Sequence, residues 1–253
     1  MSYQSPAERR LGRRRLARLT LAVTIGFLIA CALDYPAFYL LTERLPTAEP
    51  VPGAVEGARV VHEVNRDRFL HQDWYRLLRV LGSLWTWGVV SLGLILIDRA
   101  RPGDPWSVRD PFEPYRRGAI LLGSAVAAGV LAELLKLVLG RERPIDEGVF
   151  QGYVFKPLLG ALTGSGGNLG LPSSHAAVAF GACGALALLH APVRTLALLL
   201  AAGCAWSRLA VGAHWLSDVY LGAAVGLASA SAVHAGLGGR PPSGAVVRRS
   251  RLG

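Results

Sequence analysis

Residues Ser207 to Asp218 read SRLAVGAHWLSD, which places a charged residue, an imidazole and a carboxylate at the mouth of an apolar helix. Arg208 follows a thirteen-residue uncharged run from Thr195 to Ser207, and Asp218 opens another apolar run. Both stand where a membrane segment meets water, a position at which an ionisable residue calls for a functional reason. His214 and Asp218 are four apart, which on a helix stacks them one turn from each other, about 6 Å along the axis. The carboxylate can then hold one ring nitrogen and leave the other free, an arrangement that makes a nucleophile or a base. Read alone, the stretch is equally an interfacial arginine that snorkels beside a His–Asp pair that caps a helix.

Composition sets the class. The chain is 52% hydrophobic with a mean hydropathy of +0.37, unusual for a soluble protein. The net charge of +10 does not form one basic face; the arginines bunch at the ends of apolar runs. They fit membrane orientation, and no nucleic-acid partner is expected. Cys31, Cys183 and Cys204 lie in apolar runs, odd in number and without metal-type spacing, and read as small core residues.

The sequence predicts an all-α, polytopic membrane protein. In residues 1–18, Arg9, Arg10, Arg13, Arg14, Arg15 and Arg18 face a single Glu8, which predicts a basic cytoplasmic N-terminal segment. A first span begins at Leu19 and continues through Tyr35, Phe38 and Tyr39 as an aromatic belt, with Pro36 as a place to kink. A competing reading is a cleaved signal ending in LIAC, Leu28 to Cys31. The apolar and aromatic continuation argues against it. Residues 43–76 are expected to be an external connection containing an interfacial helix.

Further spans are expected at Val80 to Ile97, Gly118 to Gly140, Ser174 to Leu189, Thr195 to Ala213 and Trp215 to Leu237. The six helices make one bundle over residues 19–237, followed by a basic, disordered cytoplasmic tail at 238–253. Gly222 and Gly226 form a GxxxG pair that predicts close helix packing. The glycines of TGSGGNLGLP, up to Pro172, read as a flexible loop. With both ends inside, the inner segments hold 16 Lys and Arg against 5 Asp and Glu, and the outer segments and span mouths 11 against 12. The positive-inside rule agrees, and puts Lys136, Arg143, His175, Arg208, His214 and Asp218 together at the extracytoplasmic ends of spans three to six.

Two more stretches bear on the chemistry: Lys136 to Pro144 reads KLVLGRERP, and Pro172 to His175 reads PSSH. Lys136 and Arg143, each read alone, are cations snorkelling at a helix end. With Arg208 they make three cations around one point, which want an anion. The fourth span starts at the same place, so its orphan N–H groups, with the Ser173 hydroxyl as expected cap, complete a phosphate pocket. Glu133, one turn before Lys136, either orients that ammonium or is a plain i,i+3 ion pair.

Together the three stretches resemble the signature of the type 2 phosphatidic acid phosphatase (PAP2) superfamily: Lys, six residues, Arg-Pro; then Pro-Ser-Gly-His; then Ser-Arg, five residues, His, three residues, Asp. The resemblance covers about 80 residues, and Ser174 stands where the family usually has Gly. It implies an integral inner-membrane lipid phosphatase, needing neither metal nor cofactor, that acts on a lipid phosphate or diphosphate at the extracytoplasmic face. By the same resemblance His214 attacks phosphorus to form a phosphohistidine, Asp218 fixes its tautomer, and His175 protonates the leaving alkoxide and later activates water. Lys136, Arg143 and Arg208 hold the phosphate oxygens, with Ser173 and Ser174 at the helix start. The side chain of Ser174 must point away from phosphate or donate its own hydroxyl. A lipid phosphotransferase using the same phosphohistidine, and an inactive lipid-phosphate binding or transport protein, are the alternatives.

Overall fold

The computed structural model describes residues 6–42, 69, 71–100, 112–146, 149–150, 152–156 and 168–238. Its regular structure is helical apart from a two-residue antiparallel ladder, β1 (Ile145–Asp146) on β2 (Val149–Phe150). Helix α1 (Pro6–Thr42) runs unbroken through the basic segment and past Pro36. Helices α2 (Asp73–Val80) and α3 (Leu84–Ala100) meet at 68°. The carbonyls left over at the end of α2 are taken up locally: Gly82 N–H donates to Arg79 O, Ser83 N–H and Thr86 Oγ1 to Val80 O, and Trp87 Nε1 to Leu81 O at 2.7 Å. Helix α2 occupies the end of the expected interfacial helix, most of which lies outside the described residues.

Helix α4 (Glu113–Leu139) has Pro114 in its first turn and ends on Gly140, whose φ of 63° lets its N–H close on Lys136 O at 2.8 Å. Helix α5 (Ser174–Leu189) is followed by a 3-10 turn (Ala191–Val193), then α6 (Arg194–Ala210) and α7 (Leu216–Gly238). Helix α5 is the centre of the bundle, in contact with α4, α6 and α7, while α1 docks chiefly on α7 and α2 on α6.

Side-chain size explains this arrangement. Ten residues of α5 are buried, and all but Val178 and Cys183 are Ala or Gly, so neighbouring backbones come close. A Cβ on Gly222 would lie 2.5 Å from Ser173 O, and one on Gly226 2.5 Å from Ala177 O. The GxxxG pair is therefore the α7 face seated on α5, as the spacing predicts. Large aliphatics point outward instead: Leu16, Leu19, Leu28, Leu40, Val89, Leu96, Leu196 and Leu199 are all more than half exposed. Small residues inside and large apolar ones outside are what lipid as solvent selects.

Among the described residues, four helical segments are long and apolar enough to cross a membrane: Gly12–Leu41, Glu113–Leu139, Ala191–Ala210 and Leu216–Leu237. The bent α2–α3 pair makes a fifth if counted as one span. The remaining one of the six expected spans, α5, has sixteen residues, short of the roughly 20 that a lone crossing needs.

Candidate active site

The three motifs meet around the start of α5. Lys136, in the last turn of α4 and 7% exposed, donates from Nζ to Glu133 Oε1 at 2.9 Å and to Ser174 Oγ. The Ser174 hydroxyl donates onward to Glu133 Oε1 at 2.5 Å. Glu133 thus does more than pair with Lys136; it also takes up the side chain that the Gly-to-Ser departure adds. Ser173 holds the N-cap position of α5, yet its hydroxyl makes no capping bond; it is buried, with no hydrogen-bond partner among the described residues. The expected cap is corrected on this point. What fixes the helix start is the Ser173 N–H on Asp218 O at 2.9 Å, which ties α5 to α7.

His214 lies in the tight turn between α6 and α7. Gly212, at φ 63°, donates its N–H to Leu209 O, and Ala213 N–H donates to Arg208 O, so Arg208 and His214 are presented from one turn. His214 precedes α7, so the pair is not the helical stack that its spacing suggests. Asp218 instead reaches back over the helix start, accepting from Trp215 N–H at 2.9 Å and from His214 Nδ1 at 3.2 Å, both on Oδ2. This is the capping-box geometry, in which a first-turn acid satisfies the N-cap N–H. The predicted contact forms by a different local route.

A carboxylate only accepts, so Nδ1 carries the proton and Nε2 keeps its lone pair. Burial pulls the His214 pKa down to about 4; Asp218 opposes this, and the charges of Arg208 and Arg143 reinforce it. Arg143 donates its N–H to Asn168 O at 2.9 Å and lies beside Gly170. A Cβ on Gly170 would meet Asp218 Oδ2 at 3.0 Å and Arg143 at 3.3 Å, so this glycine of the expected flexible loop serves close approach. Arg208, 7% exposed, donates from Nη1 to Tyr75 OH at 3.0 Å. His175, in the first turn of α5, feels the charges of Arg208, His214, Arg79 and Arg143. Its backbone and ring lie against Gly82, at the α2–α3 bend. Among the described residues no group of three or more His, Cys, Asp or Glu is placed to hold a metal.

A family model described as the PAP2 superfamily matches residues 117–240. That match takes in 124 of the chain's 253 residues, among them all three motifs. Two curated relatives, each named lipid A 1-phosphatase, come from Rhizobium etli and Rhizobium johnstonii. Each is 34% identical over 109 residues, which is 43% of this chain and 45% and 43% of the respective relatives. The chain thus spans less than half the length of the curated relatives it matches. No solved structure matches it.

Around the three motifs stand residues that sequence reasoning passes over. Tyr75 reaches Arg208 from α2, outside the matched region. Arg141, inside the first motif but not one of its signature positions, donates from Nη2 to Asp218 Oδ1 and, at 2.6 Å, to Ser217 Oγ. Asp34, on α1, accepts from Ser217 and from Tyr153. The one available signal was Asp34 itself, an acid in an apolar run.

Proposed function

We propose that the PAP2 domain hydrolyses a lipid phosphate or diphosphate through a phosphohistidine on His214, at the extracytoplasmic face of a six-crossing bundle. The observation that carries this reading is a buried donor set short of acceptors. Ser173 Oγ and Arg208 Nε are buried without hydrogen-bond partners among the described residues, beside a histidine whose Nδ1 is held by a carboxylate. Buried donors need partners, and phosphate oxygens at a helix N-terminus supply them. Lys136, Arg143 and Arg208 supply positive charge where the transferring phosphoryl group spreads its own.

In the first step His214 Nε2 forms a bond to phosphorus as the bond to the lipid oxygen breaks, and His175 gives that oxygen its proton. In the second, water loses a proton to His175 and attacks phosphorus, the P–N bond breaks, and inorganic phosphate leaves. Asp218 keeps the Nδ1 proton in place and stabilises the cationic ring of the intermediate. The charge distribution supports the extracytoplasmic placement. Helix α5 serves as the sixth crossing despite its length, because neighbouring helices rather than lipid surround most of it.

The name shared by the two relatives makes lipid A 1-phosphate the first substrate to try, beside phosphatidate, phosphatidylglycerol phosphate and a polyprenyl diphosphate. Purified protein is expected to release phosphate from at least one of them, to tolerate EDTA and to be inhibited by orthovanadate. His214→Ala should fall to background on every substrate, while His175→Ala should accumulate acid-labile, base-stable phosphate on His214. No release from any lipid by the unaltered protein, or the same label persisting in His214→Ala, overturns the reading.

A further inference from the structure

The least buried helix of the bundle carries a fully buried carboxylate. Asp34 is 0% exposed on α1, whose apolar window is only 6% buried. A carboxylate withdrawn from water costs several kcal/mol unless it is fully partnered. Its partners all come from the neighbourhood of His214. Oδ1 accepts the Ser217 N–H at 2.7 Å; Oδ2 accepts the Ser217 hydroxyl, the Tyr153 hydroxyl at 2.6 Å and, at the long distance of 3.5 Å, Arg141 Nη1. The same Arg141, 2% exposed, turns Nη2 onto Asp218 Oδ1 and Ser217 Oγ, with its guanidinium 5.3 Å from the centre of the Tyr153 ring. Burial and the neighbouring Asp34 carboxylate push the Tyr153 phenol above its ordinary pKa, so it stays a donor.

One guanidinium therefore lies between two buried carboxylates, and Ser217 is held by Asp34 at both its N–H and its hydroxyl, one residue before Asp218. Asp218 Oδ1 is fixed by Arg141, which leaves Oδ2 aimed at His214 and Trp215 N–H. Residues 117–240 contain Asp218, Arg141, Tyr153 and Ser217, but Asp34 lies 83 residues before that match begins.

Resting on the phosphohistidine reading above, we propose that Asp34 is a positioning residue for the His214–Asp218 pair, acting through Ser217 and Arg141, so that α1 completes the site of the PAP2 domain. Asp34 sets both the geometry and the charge balance behind the nucleophile: it offsets Arg141, so that Asp218 is shared between Arg141 and His214 instead of being drawn wholly to Arg141. Among the described residues, the charged and titratable groups that act on His214 are Asp218 on α7, Arg208 on α6, His175 on α5 and Arg143 in the connection after α4, while Arg141 and, through it, Asp34 reach it by way of Asp218. The charge of Arg79 on α2 acts on Arg208 and His175.

The test uses charge sign, which a merely structural role does not carry. Asp34→Asn keeps the shape and removes a negative charge, so protonation of His214 becomes harder and its titration moves to lower pH. Arg141→Gln removes a positive charge and moves it to higher pH. Each shift is expected at about half a unit or more. The double variant, neutral for neutral, should return to within about 0.3 unit of the starting protein. The His214 imidazole is followed by nitrogen NMR in full-length protein labelled at histidine, with thermal stability measured alongside, so the readout stands whether or not the protein hydrolyses any lipid tried. In active protein, Asp34→Asn should lower kcat about tenfold with KM changed less than about twofold. Asp34→Glu should recover part of kcat. If Asp34→Asn fails to fold, the upward shift of Arg141→Gln and a kcat-only loss in Ser217→Ala carry the test. Titrations unmoved by both charge changes, with activity falling only in step with folded protein, overturn the proposal. Absence of any phosphatase activity beside opposite shifts would overturn the functional reading and leave the coupling standing.

Discussion

His214 is 3% exposed, and its burial outweighs the pull of Asp218, so the ring stays neutral well below the ordinary histidine range. An attacking imidazole must be unprotonated, so activity holds as pH falls from neutrality and is lost only as His214 protonates. The acid limb of kcat/KM, which reports the free enzyme, is expected near 4. A limb near 6.5 would mean that neither burial nor the arginines govern the ring. Ser174 allows a second prediction at this scale. Its hydroxyl is engaged by Glu133 and Lys136, and without it Lys136 still has the Glu133 carboxylate at 2.9 Å. Ser174→Gly, which restores the residue usual in the family, is expected to change kcat/KM by no more than about fivefold. Lys136→Ala, which removes a cation from the pocket, should lower it by about a hundredfold or more. Steady-state kinetics on one lipid phosphate separates the two.

Two close approaches govern how the helices present these groups. At the α2–α3 bend, a Cβ on Gly82 would lie 2.7 Å from His175 Cβ and Cδ2 and 2.9 Å from its Cα. Gly82→Ala must therefore move the backbone of α5 at its first turn, and a loss of about tenfold or more in kcat is expected, greatest for a poor leaving group. Gly222→Ala would drive a methyl to 2.5 Å from Ser173 O and part α7 from α5; about 1–3 kcal/mol of destabilisation is expected from such overpacking. Gly88 is the control, with nothing within 4 Å of its would-be Cβ. Gly88→Ala, in the interior of α3, should be neutral or raise stability by up to about 1 kcal/mol through helix propensity alone. Thermal unfolding in detergent measures all three.

Across the whole molecule, the site gathers at one end of the bundle, where the end of α4, the start of α5 and the α6–α7 turn meet. Single cysteines placed at Ser165 and Ser243, in a version lacking Cys31, Cys183 and Cys204, would report sidedness through an impermeant thiol reagent on intact cells. Labelling at 165 and not at 243 is expected; the reverse pattern would turn the molecule over. The tight α6–α7 turn and the Ser173–Asp218 backbone bond join the second and third motifs whatever the orientation.

The apolar runs, the GxxxG contact and the cations and histidines at span ends were all legible in the chain, because each is a local departure from a simple pattern. An uncharged run of helical length needs lipid or protein around it, and a charge at its mouth needs a reason. The His214–Asp218 contact was legible too, although its form was not: spacing gives proximity, whereas the turn at Gly212 decides that His214 precedes the helix and that Asp218 caps it. Ser173 looked like a cap and is a buried donor without a partner among the described residues, since Asp218 O already fixes the helix start through the Ser173 N–H. The bend at Gly82 and the seating of His175 against it depend on contacts between α2–α3 and α5 that no local pattern encodes. Asp34 is the extreme case. As sequence it is one acid in an apolar run, and only the docking of α1 on α7 brings it to a backbone N–H 183 residues away, where a buried carboxylate can find the donors that make its burial tolerable.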